Sequence, residues 1–128
     1  MASGFVFSKR SYRAMDGVAS ELIAVASRAL ELTAVDFVVT EGLRTVERQR
    51  QLVESGASRT MNSRHITGDA IDVAAYVGGI RWDWPLYEKI AGAFKQAAED
   101  LRIPLEWGGD WSSFRDGPHF QLPRNYQR

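Results

Sequence analysis

Ser63-Arg-His65-Ile-Thr-Gly68-Asp-Ala-Ile-Asp72-Val-Ala-Ala-Tyr76, running on into Val77-Gly78-Gly79-Ile80-Arg-Trp82, changes character at Gly68 and again at Gly78. Residues 69–76 alternate apolar and polar positions, the two-residue period of a strand with one buried face. Gly78-Gly79 is a hairpin turn leading to a second short strand at 80–82. Upstream, residues 57–67 are polar without any period and read as a loop.

The flanks complete the pattern. Asp16 is placed to cap a helix in which Val18, Leu22, Val25, Ala29 and Leu32 recur at helical spacing. Residues 36–40 are β-rich and read as a strand. After a turn at 42–45, Thr45 can cap a second helix carrying Val46, Leu52 and Val53, stopped at Gly56. Pro85 suits the first turn of a third helix with Leu86, Ile90, Phe94, Ala97 and Leu101 inward. Short strands follow at 103–107 and 118–122, with a loop between them at 108–117. The expected class is α+β: a small antiparallel sheet with about three helices packed around it. One domain spans about residues 8–122, and the polar tail at 123–128 is expected to fray.

Composition excludes several classes. At 128 residues and 45% hydrophobic content, the chain can bury one core and not two. Sixteen basic residues balance sixteen acidic ones, which disfavours nucleic acid and anionic membrane as partners. No apolar run nears the ~20 residues of a membrane span. The first residues lack the charged, apolar, small-residue order of a secretory signal. Cysteine is absent, which removes disulfides, thiolate catalysis and sulfur-ligated zinc.

Two histidines remain, His65 and His119, and each adjoins a Gly or Pro turn with a carboxylate at short spacing. Two imidazoles and one carboxylate are the common donor set of a catalytic zinc, which leaves a fourth position open. Asp72 lies on the strand face opposite Ile71 and Val73, so it can face a cleft while they enter the core. Gly68 gives the backbone freedom for His65 and Asp72 to reach one ion. In the last strand His119 and Gln121 share one face, Phe120 and Leu122 the other. Asp116, three residues before His119, stands where a general base would sit. Arg44, between a strand and a capped helix, is the best-placed cation for an oxyanion. Taken singly, each histidine reads as a hydrogen-bonded structural residue; taken together, they put a metal site somewhat ahead.

Ser63-x-His65-x-x-Gly68-x-Ala70-x-Asp72, with Asp116-x-Pro118-His119-Phe120, resembles the signature of the M15 zinc peptidases. That family includes D-alanyl-D-alanine carboxypeptidases and dipeptidases of the vancomycin-resistance type. Glu106-Trp-Gly-Gly-Asp110-Trp111 and Thr40-Glu-Gly-Leu-Arg44-Thr45, with Gln49 following, bring the resemblance nearer to the small phage L-alanyl-D-glutamate endopeptidases. It runs from about residue 38 to 122. The resemblance implies one zinc in a cleft, with His65, Asp72 and His119 as ligands and Asp116 as base. It implies that Arg44 contacts substrate and oxyanion, and that Ser63 and Gln49 have substrate or supporting roles. Many dipeptidase-like members carry Glu where this chain has Asp116.

The implied function is an endolysin that cuts the L-Ala-D-Glu bond of peptidoglycan stems during host lysis. The alternatives are a D,D-carboxypeptidase or D-Ala-D-Ala dipeptidase on the same fold, and a non-catalytic wall-binding zinc module. A single peptidase domain over 1–128, with no separate wall-binding domain, is expected, as suits a thin Gram-negative wall. So are a monomer without stable membrane association, synthesis in the host cytoplasm, and release to the periplasm through a phage-encoded pore. Of the four tryptophans at least two are expected to be structural, while Trp107 or Trp111, flanking Gly108-Gly109, lines the cleft. Arginine outnumbers lysine thirteen to three, and Arg59 and Arg64 are candidates to grip stem carboxylates. For each, a solvated surface role is at least as good a reading.

Overall fold

The computed structural model describes residues 2–126. In chain order it has α1 (Lys9–Ala14), α2 (Ser20–Leu32), β1 (Phe37–Glu41), α3 (Val46–Glu54), β2 (Ala70–Tyr76), β3 (Ile80–Arg81), α4 (Trp84–Leu101), β4 (Glu106–Trp107) and β5 (His119–Gln121). A single 3-10 turn, Gly108–Asp110, follows β4. The sheet is antiparallel, ordered β1-β2-β5-β4, with β3 paired to the far end of β2. The class is α+β, as expected, with four helices where three were read.

The alternation of β2 sorts its side chains as the sequence reading required. Ile71, Val73 and Ala75 enter the core, with Phe37 and Val39 from β1 and Phe120 from β5. The amphipathic helices α2 and α4 supply the rest of that core, through residues such as Leu22, Val25, Ile90 and Phe94. Phe94 sits on Phe120 with ring centroids 3.9 Å apart and lies 5.3 Å from Phe37, so α4 clamps β5 to β1. Burial of each such ring contributes roughly 1.5–3 kcal/mol. The opposite face of β2 and β5 carries Asp72, His119 and Gln121 beside the small Ala70 and Ala74.

Several local readings hold and several fail. Thr45 caps α3 by accepting from Arg48 N, Pro85 lies in the first turn of α4, and residues 57–67 form a loop. Asp16 does not cap α2; it lies in a turn, and the helix starts after Ala19 with no side-chain cap. The additional helix, α1, has six residues without apolar period and is capped by Ser8. Its buried Ser11 accepts from the Val39 N–H on the open edge of β1, a pairing that covers an exposed strand edge. On α3 the buried side chain is Gln49, while Val46 is 49% exposed. Leu101, placed on the buried face of α4, is 40% exposed at the helix end.

The strand at 103–107 shortens to two residues, since Ile103 and Leu105 pack on the core from irregular backbone. The expected fraying after Leu122 does not extend through the described tail. Arg64 donates to the carbonyls of Leu122 and Pro123, Arg124 binds Asn62, and Tyr126 packs against the core. The final two residues lie outside the described residues. At the other end Phe5 and Phe7 also pack on the core, so the folded unit begins before residue 8.

Candidate metal centre

The polar face of the sheet brings distant residues into register. Asp72 on β2 is the direct partner of His119 on β5, and Glu41 on β1 is the partner of Asp72 on the other side. His65 arrives from the loop before β2. Gly68 makes that approach possible with φ +76, and a Cβ there would come within 2.5 Å of the Gly17 carbonyl. The ligand-type atoms of His65, Asp72 and His119 all lie within 4.8 Å of one another, close enough to hold one ion. His65 Nε2 is 3.3 Å from Asp72 Oδ2, and His119 Nδ1 is 3.1 Å from Asp72 Oδ1.

Hydrogen bonds outside this trio orient both rings. His65 Nδ1 lies 2.8 Å from the Gly42 carbonyl and must donate to it, which leaves Nε2 as the lone-pair nitrogen of the neutral ring. That Nε2 is buried and has no hydrogen-bond partner among the described residues. A buried acceptor of this kind is costly unless something occupies its lone pair. His119 Nε2 meets Gln121 Oε1 at 2.8 Å, so its Nδ1 faces Asp72 and His65. Two imidazole nitrogens and a carboxylate, each ring held from behind, fit zinc or a similar borderline cation.

Charge at the site follows the same geometry. Burial by itself pushes Asp72 up, but the hydrogen bond from His119, the contact with His65 and the charge on both rings outweigh it. Asp72 is held well below the usual carboxylate range. For His119, burial opposes protonation, yet the Asp72 carboxylate and the Gln121 contact raise its pKa above the ordinary value. Asp116 is raised, mainly by burial and then by the negative charge of Asp72, with partial relief from His119, His65 and Arg44.

Asp116 lines the same cleft, of about 720 Å³, together with all three ligand-type residues and Arg44. Its backbone is tied down: its N–H donates to Gly108 and its carbonyl accepts from His119 N. Only glycine fits at 108, because a Cβ would collide with the Asp116 carbonyl. Arg44 Nε donates to Glu41 at 2.5 Å and Nη1 to Gln49 at 2.7 Å, while Nη2 lies 3.7 Å from Asp72.

The remaining expected residues divide. Ser63 lines the cleft, and its hydroxyl accepts from His65 N. Gln49 is fully buried behind Arg44 and also donates to Ser58 Oγ and the Thr60 carbonyl, so it supports the site from within. Trp111 lines the cleft with its ring 5.2 Å from that of His119. Trp107, the other candidate, is not among the residues lining the cleft: it is buried, donates to the Gly117 carbonyl at 2.7 Å and packs on Trp84. Arg64 directs its donors to buried Asp69 and two backbone carbonyls. Arg59, by contrast, has its guanidinium 4.0 Å from the Phe114 ring at the cleft wall. The reading missed Glu41 and Glu106 as partners of site residues; strand alternation already put Gln121 on the His119 face.

Comparison with known proteins shows the family to which the chain belongs. The family model described as phage L-alanyl-D-glutamate peptidase matches residues 3–122. The L-alanyl-D-glutamate peptidase of Escherichia phage T5 is 42% identical over 117 residues, covering 88% of this chain and 85% of that protein. The crystal structure of the Serratia marcescens L-Ala D-Glu endopeptidase ChiX superposes with a TM-score of 0.87 at 44% identity, covering 92% of this chain and 90% of that one. The vancomycin-resistance D,D-dipeptidase VanXYg shares the fold alone, with a TM-score of 0.55 at 21% identity over 82% of this chain and 50% of that one. With a match across nearly its whole length, the chain belongs to the phage L-alanyl-D-glutamate peptidase family.

Proposed function

We propose that this protein is a zinc-dependent endopeptidase that cuts the L-Ala-D-Glu bond of peptidoglycan stems, with His65, Asp72 and His119 as the ligands. The observation that carries the reading is the convergence of these three side chains, from a loop and two paired strands, within 4.8 Å of one another. When bound, zinc supplies a Lewis acid and lowers the pKa of water from 15.7 to roughly 7.

The chain's own groups do the rest. Asp116 accepts a proton from the attacking water and returns it to the leaving D-glutamyl nitrogen. A carboxyl whose pKa is raised by burial is suited to carry a proton between the two steps. Arg44 is locked by Glu41 and Gln49 with Nη2 turned toward Asp72, so it presents a fixed cation to the developing oxyanion. Ser63 and Trp111 border the space that the stem would occupy. Arg59 is the cleft arginine best placed to meet a stem carboxylate, since Arg64 is engaged within the fold.

The protein would act as a monomer during host lysis, reaching the wall through a phage-encoded pore. No helix among the described residues is long and apolar enough to cross a membrane. The test is mass spectrometry of muropeptides after purified sacculi are incubated with protein and zinc. Stem peptides beginning at D-glutamate are expected. Release of D-alanine alone would establish the carboxypeptidase alternative, and no cleavage with full zinc occupancy would favour a wall-binding module.

A further inference from the structure

Two residues behind His119 form a directed chain that the proposed chemistry does not use. Gln121 follows His119 by two positions on β5 and shares its face, and Glu106 on β4 is the direct cross-strand partner of Gln121. Gln121 Nε2 donates to Glu106 Oε1 at 3.1 Å, and His119 Nε2 meets Gln121 Oε1 at 2.8 Å. Gln121 is 8% exposed, so bulk water offers it little competition.

The direction of these bonds is set at the Glu106 end. A carboxylate only accepts, so the amide NH2 of Gln121 must turn toward Glu106 and its carbonyl toward His119. An amide carbonyl also only accepts, so His119 must carry hydrogen on Nε2. When the ring gives up its other proton to bind a cation, the lone pair is then on Nδ1, the nitrogen already turned to Asp72 and His65. We propose that Glu106 and Gln121 are a positioning pair that fixes the ring orientation and the metal-facing nitrogen of His119. The inference rests on the reading of His119 as a ligand. Outer partners of this kind commonly govern metal affinity by 10–100-fold.

The experiment measures zinc affinity by chelator competition in the full chain and three variants, with folding checked by circular dichroism. Gln121→Leu, which leaves Nε2–H without an acceptor, is expected to bind zinc 10–100-fold more weakly. Glu106→Gln lets the Gln121 amide turn over, and a several-fold loss is expected. The exchanged pair, Glu106→Gln with Gln121→Glu, restores the direction, because Glu at 121 accepts from His119 and Gln at 106 donates to it. Its affinity should return to at least that of the parent, a rescue that packing alone would not produce.

Long-range proton–nitrogen NMR of the zinc-loaded parent should show His119 ligated through Nδ1 and protonated on Nε2, whichever variants fold. Parent-like affinity in Gln121→Leu, an exchanged pair as weak as the single variants, or ligation through Nε2 would overturn the pair's role while leaving the zinc site intact. A parent that binds no zinc would overturn the metal site itself and this inference with it.

Discussion

Replacing Asp116 with asparagine separates catalysis from folding in one residue. The side chain keeps its size, and the bonds that hold this segment, to Gly108 and from His119, are made by the backbone. What asparagine cannot do is accept and return a proton. Positioned general acid–base groups contribute about 10²–10⁴-fold, so kcat should fall by that factor, equivalent to roughly 3–5 kcal/mol of transition-state stabilisation. Stability should move the other way. The folded pKa of Asp116 lies above its ordinary value, mainly through burial, so its ionisation opposes folding. Its contribution is fully present below the unfolded pKa and is lost as pH rises through the folded pKa. At neutral pH a neutral amide escapes that cost. Metal-free Asp116→Asn should therefore melt at or above the parent temperature while zinc-loaded turnover collapses. The assay pairs thermal unfolding in chelator with initial rates of stem-peptide release. Turnover within tenfold of the parent would refute the assignment of the base, and a markedly lower melting temperature would refute the electrostatic reasoning.

His119→Ala should abolish the rise in melting temperature that zinc gives the parent, since binding to the folded state stabilises by about 4 kcal/mol at a thousandfold excess over Kd; an undiminished zinc response, seen by calorimetry, would exclude it as a ligand. As far as Asp72 and His119 contribute, the metal-free parent should be most stable between about pH 4 and 6.5. The lowered Asp72 contributes above its unfolded pKa and loses this as pH falls through the folded value, whereas the raised His119 contributes below its unfolded pKa and loses this as pH rises. Stability in chelator that climbs steadily from pH 5 to 8 would contradict that balance. Phe120→Ala removes a fully buried ring stacked on Phe94 and should cost about 3–5 kcal/mol in denaturant unfolding, a loss below 1 kcal/mol being incompatible with the packing described.

Much of this protein was legible locally. The alternation through β2 placed Ile71 and Val73 inside and Asp72 outside, because a strand's two-residue period depends only on neighbouring backbone. The same rule put His119 and Gln121 on one face and Phe120 on the other. Thr45 and Pro85 marked helix starts through their own side-chain chemistry. Asp16 misled for a related reason: capping preference is local, but the chain turns away before α2 begins.

What the residues alone determined was the alternating faces, the helix signals at Thr45 and Pro85, and the donor types held by His65, Asp72, His119 and Asp116. Only the tertiary structure decided which of them meet. The order β1-β2-β5-β4 sets Asp72 against His119, 47 positions away, and Gln121 against Glu106. It also buried Trp107 away from the cleft lining and left Trp111 at the cleft wall. Cross-strand neighbours are chosen by strand order and register, which hydrophobic burial settles over the whole sheet at once, and no short stretch of chain contains that information.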